Sequence, residues 1–289
     1  MSAARIIRSL KKNRAGQIGT ALLLLIVCTA FFAPWLASHD PYERVGLPFQ
    51  NPSPQHPLGT NDIGQDILSE IIWGTRVSLT IGFFAAAIAL FLGTLIGIVS
   101  GYYRRWLDPL FMRLADVVLV IPFLPLMILL AAYLGPRMSN IVMVIGLLTW
   151  AGPARVIRSQ VLSLREYGYV QAARSLGGTD SRIMFRHILP GVLPMALAQF
   201  IRAVSSAVLI ESSLAFLGLG DPTAKSWGMV LYYAQARGAF LTGAWLWWIL
   251  PPGLLITFTV LAFALIGYAL EEVVNPRLRG GIIKKKCTP

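Results

Sequence analysis

Six stretches of this chain are almost free of side chains that need water around an ionic charge. Residues 15–38, 77–103, 117–136, 138–154 and 238–270 contain no Asp, Glu, Lys, Arg or His, and 190–218 is interrupted only by Arg202 and Glu211. About 20 apolar residues in a helix cross the hydrocarbon of a bilayer, and a spanning segment must pair its own backbone groups. These lengths predict an all-α, polytopic membrane protein with six transmembrane helices. The third is expected to start earlier than its uncharged stretch, near Pro109, and the last helix proper near Pro252.

By length alone, 289 residues would make about two soluble domains. Only 13% of the residues are charged, against roughly 25% in a soluble domain, too few to coat two globular surfaces. A hydrophobic share of 56% also argues against a disordered chain or a small disulfide scaffold. The two cysteines, Cys28 and Cys287, are expected to be too far apart to pair, and Thr288-Pro289 after Cys287 makes no prenylation box. A net charge of +12 would point to nucleic acid in a soluble protein. In a membrane protein, Lys and Arg hold loops on the cytoplasmic side. With the N-terminus inside, 20 of the 25 basic residues fall inside and 5 outside.

The expected layout follows. Residues 1–14 form a cytoplasmic tail, and 15–38 the first transmembrane helix. That helix is read as an uncleaved anchor, because its apolar stretch exceeds the roughly 7–15 residues of a signal-peptide core. Residues 39–76 are external, with Asn61 or Asp62 capping a surface helix whose apolar face (Ile67, Leu68, Ile71, Ile72) opposes Asp66 and Glu70. Residues 77–276 hold the other five spans, including a cytoplasmic helical hairpin at 165–190, and 277–289 form a basic cytoplasmic tail. In the hairpin Gly177 supplies a left-handed stop, and Thr179 or Asp180 caps the second helix. Such a hairpin either rests on lipid headgroups or inserts into a partner protein.

Several chemistries are missing. The sequence has no GxxxxGK[ST] nucleotide loop, no HExxH and no GxSxG. Ser205, Ser206, Ser212 and Ser213 read as small residues at helix contacts. His39 and His56 with nearby acids could hold an ion, but the expectation is that the chain has no metal site, no cofactor and no catalytic residue.

The run QAARSLGGTDSRIMFRHILP resembles the EAA loop of membrane subunits of binding-protein-dependent ABC importers. Ala172, Ala173, Gly177, Leu189 and Pro190 match its spacing, with Gln171 in place of its glutamate and His187 in place of its isoleucine. HPLGTNDIGQDILSEIIWGTRVSL, MRLADVVLVIP and SLAFLGLGDPTAKSWG resemble the dipeptide/oligopeptide/nickel permeases, and the order and spacing fit their C-type subunit. The resemblance covers about residues 15–276. Departures stand at Asn61, where Asp is common, at Gln65 and Glu70, where Arg is common, and at Gly191, where Asn is common.

This resemblance implies a type I ABC importer permease fold in the plasma (cell inner) membrane, with both termini cytoplasmic. It implies a second, homologous permease subunit, two ABC ATPase subunits that carry ATP and Mg, and an extracytoplasmic substrate-binding protein. The ATPases would dock on the hairpin at Gln171, Ala172, Ala173, Arg174, Leu176, Gly177, His187, Leu189 and Pro190. The expected cargo is di- or oligopeptides, with nickel or a metal chelate as the alternative. A self-contained secondary transporter would explain the spans without the hairpin, and an intramembrane enzyme would need a catalytic pair that the sequence does not offer.

Charged residues and prolines within the spans mark candidate pathway or inter-subunit positions. Arg202 either snorkels at the inner boundary or faces a cavity, and Glu211 lines the pathway or bridges to the other permease. Arg113 and Asp116 are spaced for a local ion pair. Pro122 and Pro125 make either a packed kink or a gating bend.

Overall fold

The computed structural model describes residues 13–274, with side chains as far as Leu270; nearly all of the expected N-terminal tail and the whole basic C-terminal tail lie outside these limits. The helices in chain order are α1 (Arg14–Phe31), α2 (Ala33–Leu36), α3 (Ile67–Tyr103), α4 (Leu107–Val120), α5 (Phe123–Leu134), α6 (Met138–Thr149) and α7 (Ala151–Leu164). They continue with α8 (Gly168–Ser175), α9 (Asp180–Ile183), α10 (Leu189–Leu214), α11 (Trp227–Ala236), α12 (Trp245–Trp248) and α13 (Leu250–Val274). π-helical turns at Met184–Ile188 and Ala215–Leu219 join α9 to α10 and extend α10. Among the described residues no strand forms beyond an isolated bridge between Thr60 and Asp66.

Four helical runs are long and apolar enough to cross a membrane: α1, α3, Asp180–Leu219 and Trp245–Leu270. The pairs α4–α5 and α6–α7 qualify only when each is joined across its bend, of 88° and 41°, and counting them so gives six. The 88° break falls at Ile121-Pro122, because Pro122 has no N–H to continue the helix and disfavours helical backbone in the residue before it. This is a sharper break than a kinked single span.

The boundaries differ from the sequence expectation in two places. No separate surface helix precedes the second span. α3 is one helix of 37 residues, roughly 55 Å long. Its cap is Asp66 rather than Asn61 or Asp62, with the Asp66 carboxylate accepting from the Ser69 N–H at 2.8 Å. Asp66 and Glu70, expected on a wet face, are both buried. The segment that precedes α3 and the loop before α11 fold over this end of α3, tied together by the Tyr42 hydroxyl donating to the Thr223 carbonyl. The fourth span also runs on, since α7 passes through Arg155 and Arg158 to Leu164. These arginines do not stop the helix because carboxylates on α4 receive them. Arg158 bonds Asp108 at 2.5 and 2.6 Å, and Arg155 pairs with Asp116. Asp116 therefore pairs across helices, and the local pair with Arg113 does not form.

The centre of the bundle is α3, which packs against α1, α4, α6, α7 and α10. Lipid is as apolar as leucine, so association of spans depends on close packing, which small residues permit. Gly93, Gly97 and Gly101 recur every fourth residue and make one smooth stripe on α3. A Cβ at Gly97 would stand 2.7 Å from the Ala154 carbonyl oxygen and 2.9 Å from Ile157 Cβ, both on α7. At Gly101 it would meet Val161 Cβ at 2.8 Å. Elsewhere along the helix Gly82 meets Val208 of α10, and Gly146 of α6 rests on Ile88.

Gly97→Leu should destabilise the protein by about 3 kcal/mol or more, because backbone rather than a flexible side-chain end must move. Gly253→Ala has open space around it and should be neutral or stabilising by about 0.5 kcal/mol. Thermal unfolding of the two variants in detergent checks both.

Candidate coupling hairpin and membrane cleft

The segment expected to form a helical hairpin does so. α8 ends at a turn where Gly177 adopts φ +78°, and α9 follows with Thr179 at its N-cap, although no side chain caps the helix. A Cβ at Gly177 would meet nothing within 4 Å, so its requirement is the left-handed backbone and not crowding. The crowded glycine is Gly178, whose Cβ would lie 2.8 Å from the Ala173 carbonyl oxygen.

One side of the hairpin is anchored. Val170, Ile183 and Ile188 are buried in a cluster with Ile98, Ile157 and Val161, and Ala173, Met184 and Leu189 pack against it. The Tyr102 hydroxyl donates to Asp180 at 2.6 Å, the Arg174 guanidinium lies 5.2 Å from the Tyr102 ring centre, and Arg165 donates to the Tyr102 carbonyl at 2.8 Å. Gln171 donates to the Arg165 carbonyl at 2.9 Å, a bond that the glutamate it replaces would not make when ionised. The other side is bare. Leu176 is 88% exposed, and Ala172, Arg174, Gly177, Phe185 and Pro190 are exposed with it. Gln171 and His187 are half-buried, the latter with its ring 6.3 Å from Tyr169. Because Ala173 faces the anchor, it belongs to the attachment of the hairpin and not to a compact exposed face with Leu176.

Arg202 and the break at Pro122 come together. Arg202 is exposed on α10 and lines a cleft of about 350 Å³ with Ile121, Phe123, Thr149, Pro153 and Ser206. Pro122 and Pro125 themselves are exposed without lining that cleft, as are Val120, Leu124 and Leu129. Glu211 is elsewhere. At 1% exposure it lies inside the chain, with the hydroxyls of Ser78, Ser212 and Ser226 around it. It neither lines this cleft nor stands on a surface that another subunit could reach. The serines supply the polar surroundings that a carboxylate needs away from water.

At the opposite end of α3 lies a cluster that the sequence did not reveal. Lys225, 8% exposed, donates to Glu70 at 2.5 Å and to Gln65 at 2.7 Å, while Asn61 bridges Gln65 and Glu70 at 2.9 and 3.0 Å. The Lys225 ammonium also lies 5.7 Å from the ring centres of Tyr42 and Tyr233. Asp221, in the same loop, caps α6 from a distance by accepting from the Met138 N–H at 2.9 Å. Its carboxyl is held below the usual carboxylate range. Burial pushes it up, but hydrogen bonds from Thr223 and Met138 and the charge of Arg137 outweigh that. The departures at Asn61, Gln65 and Glu70 were the available signal: Asn61 bonds both of the others, and both of them accept from Lys225.

Helices able to cross a membrane, a cleft beside a broken pair and an anchored hairpin fit the class of transport permeases. The chain is a member of the family of binding-protein-dependent transport system inner membrane components, whose model matches residues 93–280. The N-terminal transmembrane domain of oligopeptide transport permease C matches residues 3–57. A putative peptide transport system permease protein of Brucella abortus is 39% identical over 94% of this chain and 91% of its own length. The dipeptide transport system permease protein DppC of Alkalihalophilus pseudofirmus is 36% identical, over 94% of this chain and 89% of its own. The glutathione transport system permease protein GsiD of Pectobacterium atrosepticum is 35% identical, over 94% and 90%.

Lys225→Met should destabilise the outer loops by about 3 kcal/mol, because it leaves Glu70 buried without its cation. Adding Glu70→Gln should recover more than half of that loss. A double-mutant cycle on thermal unfolding measures the coupling, and strictly additive effects would mean that the pair contributes nothing as a pair.

Proposed function

We propose that this chain forms half of the translocation pathway of an ATP-driven importer for di- or oligopeptides. In this reading it sits in the plasma membrane with both termini in the cytoplasm. An extracytoplasmic binding protein delivers the peptide to the outer loops, a second, homologous permease completes the pathway, and two ABC ATPases dock on the hairpin. The bare tip around Leu176 on an otherwise anchored hairpin carries the proposal. An apolar side chain held in water by a locked backbone is what a partner's groove would bury, and mere rest on headgroups would not need the lock. The hairpin runs directly into α7 on one side and α10 on the other, so displacement of the tip would move the helices that border the cleft. The exposed apolar side of α4–α5 would face the second permease. Peptide cargo rather than nickel is favoured by the names of the relatives, glutathione being itself a tripeptide.

Leu176→Asp tests the docking site without disturbing the fold, since this side chain packs against nothing that the fold needs. At unchanged membrane levels, ATPase co-purification should fall at least tenfold and uptake of a labelled dipeptide should be lost. Full ATPase retention with normal uptake would refute the docking assignment.

A further inference from the structure

We propose that His39, His56 and Asp66 form a site for a divalent late first-row transition ion of the Zn²⁺ class, which staples the outer segment to the head of α3. The reading runs against the sequence expectation of no metal, and it is independent of the cargo. One potential ligand atom from each of the three residues lies within 4.8 Å of the other two. His56 Nδ1 is 3.0 Å from Asp66 Oδ1. Two ligands on a tetrahedral Zn²⁺ stand roughly 3.3 Å apart, given metal–nitrogen distances of about 2.05 Å. An ion can therefore take the place of the proton shared by that pair with almost no movement.

The second oxygen of Asp66 is fixed from behind. Asp66 Oδ2 accepts from the Ser69 backbone N–H at 2.8 Å and from the Ser69 hydroxyl at 2.7 Å. The same hydroxyl oxygen accepts from the His39 backbone N–H at 3.3 Å, so one side chain ties the backbone of one ligand to the carboxylate of another. Hydrogen bonds that orient ligands from outside are a regular part of metal sites.

His39 supplies the independent observation. Its Nδ1 is a buried polar atom with no hydrogen-bond partner. An unpaired buried nitrogen is unfavourable unless something occupies it, and its ring lies 5.2 Å from that of His56. The His39 side chain is only half-buried, so a small rotation can bring it inward by the roughly 1.5 Å that coordination requires. Two imidazoles and one carboxylate suit zinc and its late-transition neighbours better than Mg²⁺ or Ca²⁺, which prefer all-oxygen sites. Water would complete the coordination.

The test uses the full-length permease in detergent, stripped with a chelator and titrated with Zn²⁺ against a chromophoric competitor near neutral pH. Wild type should bind one ion per chain at a site with micromolar or tighter affinity, and Co²⁺ in its place should give a tetrahedral ligand-field spectrum. His39→Ala and His56→Ala should each weaken binding at least tenfold and lose the spectrum. Cys28→Ser should retain both. Zn²⁺ should raise the unfolding temperature of wild type and leave that of His39→Ala unmoved. If His39→Ala fails to accumulate, His39→Asn serves with the same readings. No binding at micromolar Zn²⁺, or equal binding by the histidine variants, would overturn the proposal and leave the cluster as a hydrogen-bonded pair beside a stacked ring.

Discussion

The contact on which this molecule depends is the approach of α3 to α7 along Gly93, Gly97 and Gly101. In hydrocarbon no water is released when two spans meet, so the gain comes from van der Waals contact, which falls away within an ångström of separation. The glycines let the α3 backbone reach the Trp150 and Ala154 carbonyls and the side chains of Ile157 and Val161. Residues that look permissive in the sequence are thus the least replaceable. Everything at the hairpin end is measured from this contact, because Tyr102 and Gly101 lie at the end of the same stripe.

From that contact the charges find their places. α7 presents Arg155 and Arg158 toward α4, where Asp116 and Asp108 receive them, and the Ser100 hydroxyl of α3 donates to Asp108 at 2.5 Å. Three helices meet at one carboxylate. Ion pairs of this kind contribute less to net stability than to fixing which helix faces which. Their consequence is that the two roots of the hairpin, α7 and α10, are both packed on α3.

What the sequence made legible follows from which forces are local. The apolar stretches and the Gly177 turn are written in short windows and could be read there, whereas Pro122 announces only a kink or bend where the structure has an 88° break. Other features needed the third dimension. Asp66 and Glu70 look like the wet face of a surface helix until the loop carrying Lys225, some 155 residues later, covers them. Arg155 looks like the end of a span until Asp116 neutralises it. Ala173 and Leu176 share a motif and a face by helical periodicity, yet one packs inward and the other is bare. Glu211 reads as a residue of the pathway or of a bridge to the other permease, yet it is buried among three serines from α3, α10 and the loop before α11, and nothing in their spacing announces it.

The N-terminal end of α3 shows why those hidden features belong together. Asp66 caps the helix and faces His56, and Glu70, one turn on, faces Lys225. The two carboxylates lie on one flank, and each receives a different segment, residues 39–56 on one and 221–226 on the other. A buried charge left alone would destabilise this end by several kcal/mol, so each segment must be in place for its carboxylate to be tolerated. The two loops also touch through Tyr42 and Thr223. Cover and helix head therefore order one another. The surface at this end is set by buried electrostatics, so loosening either pair would change the loops before it changed the bundle beneath.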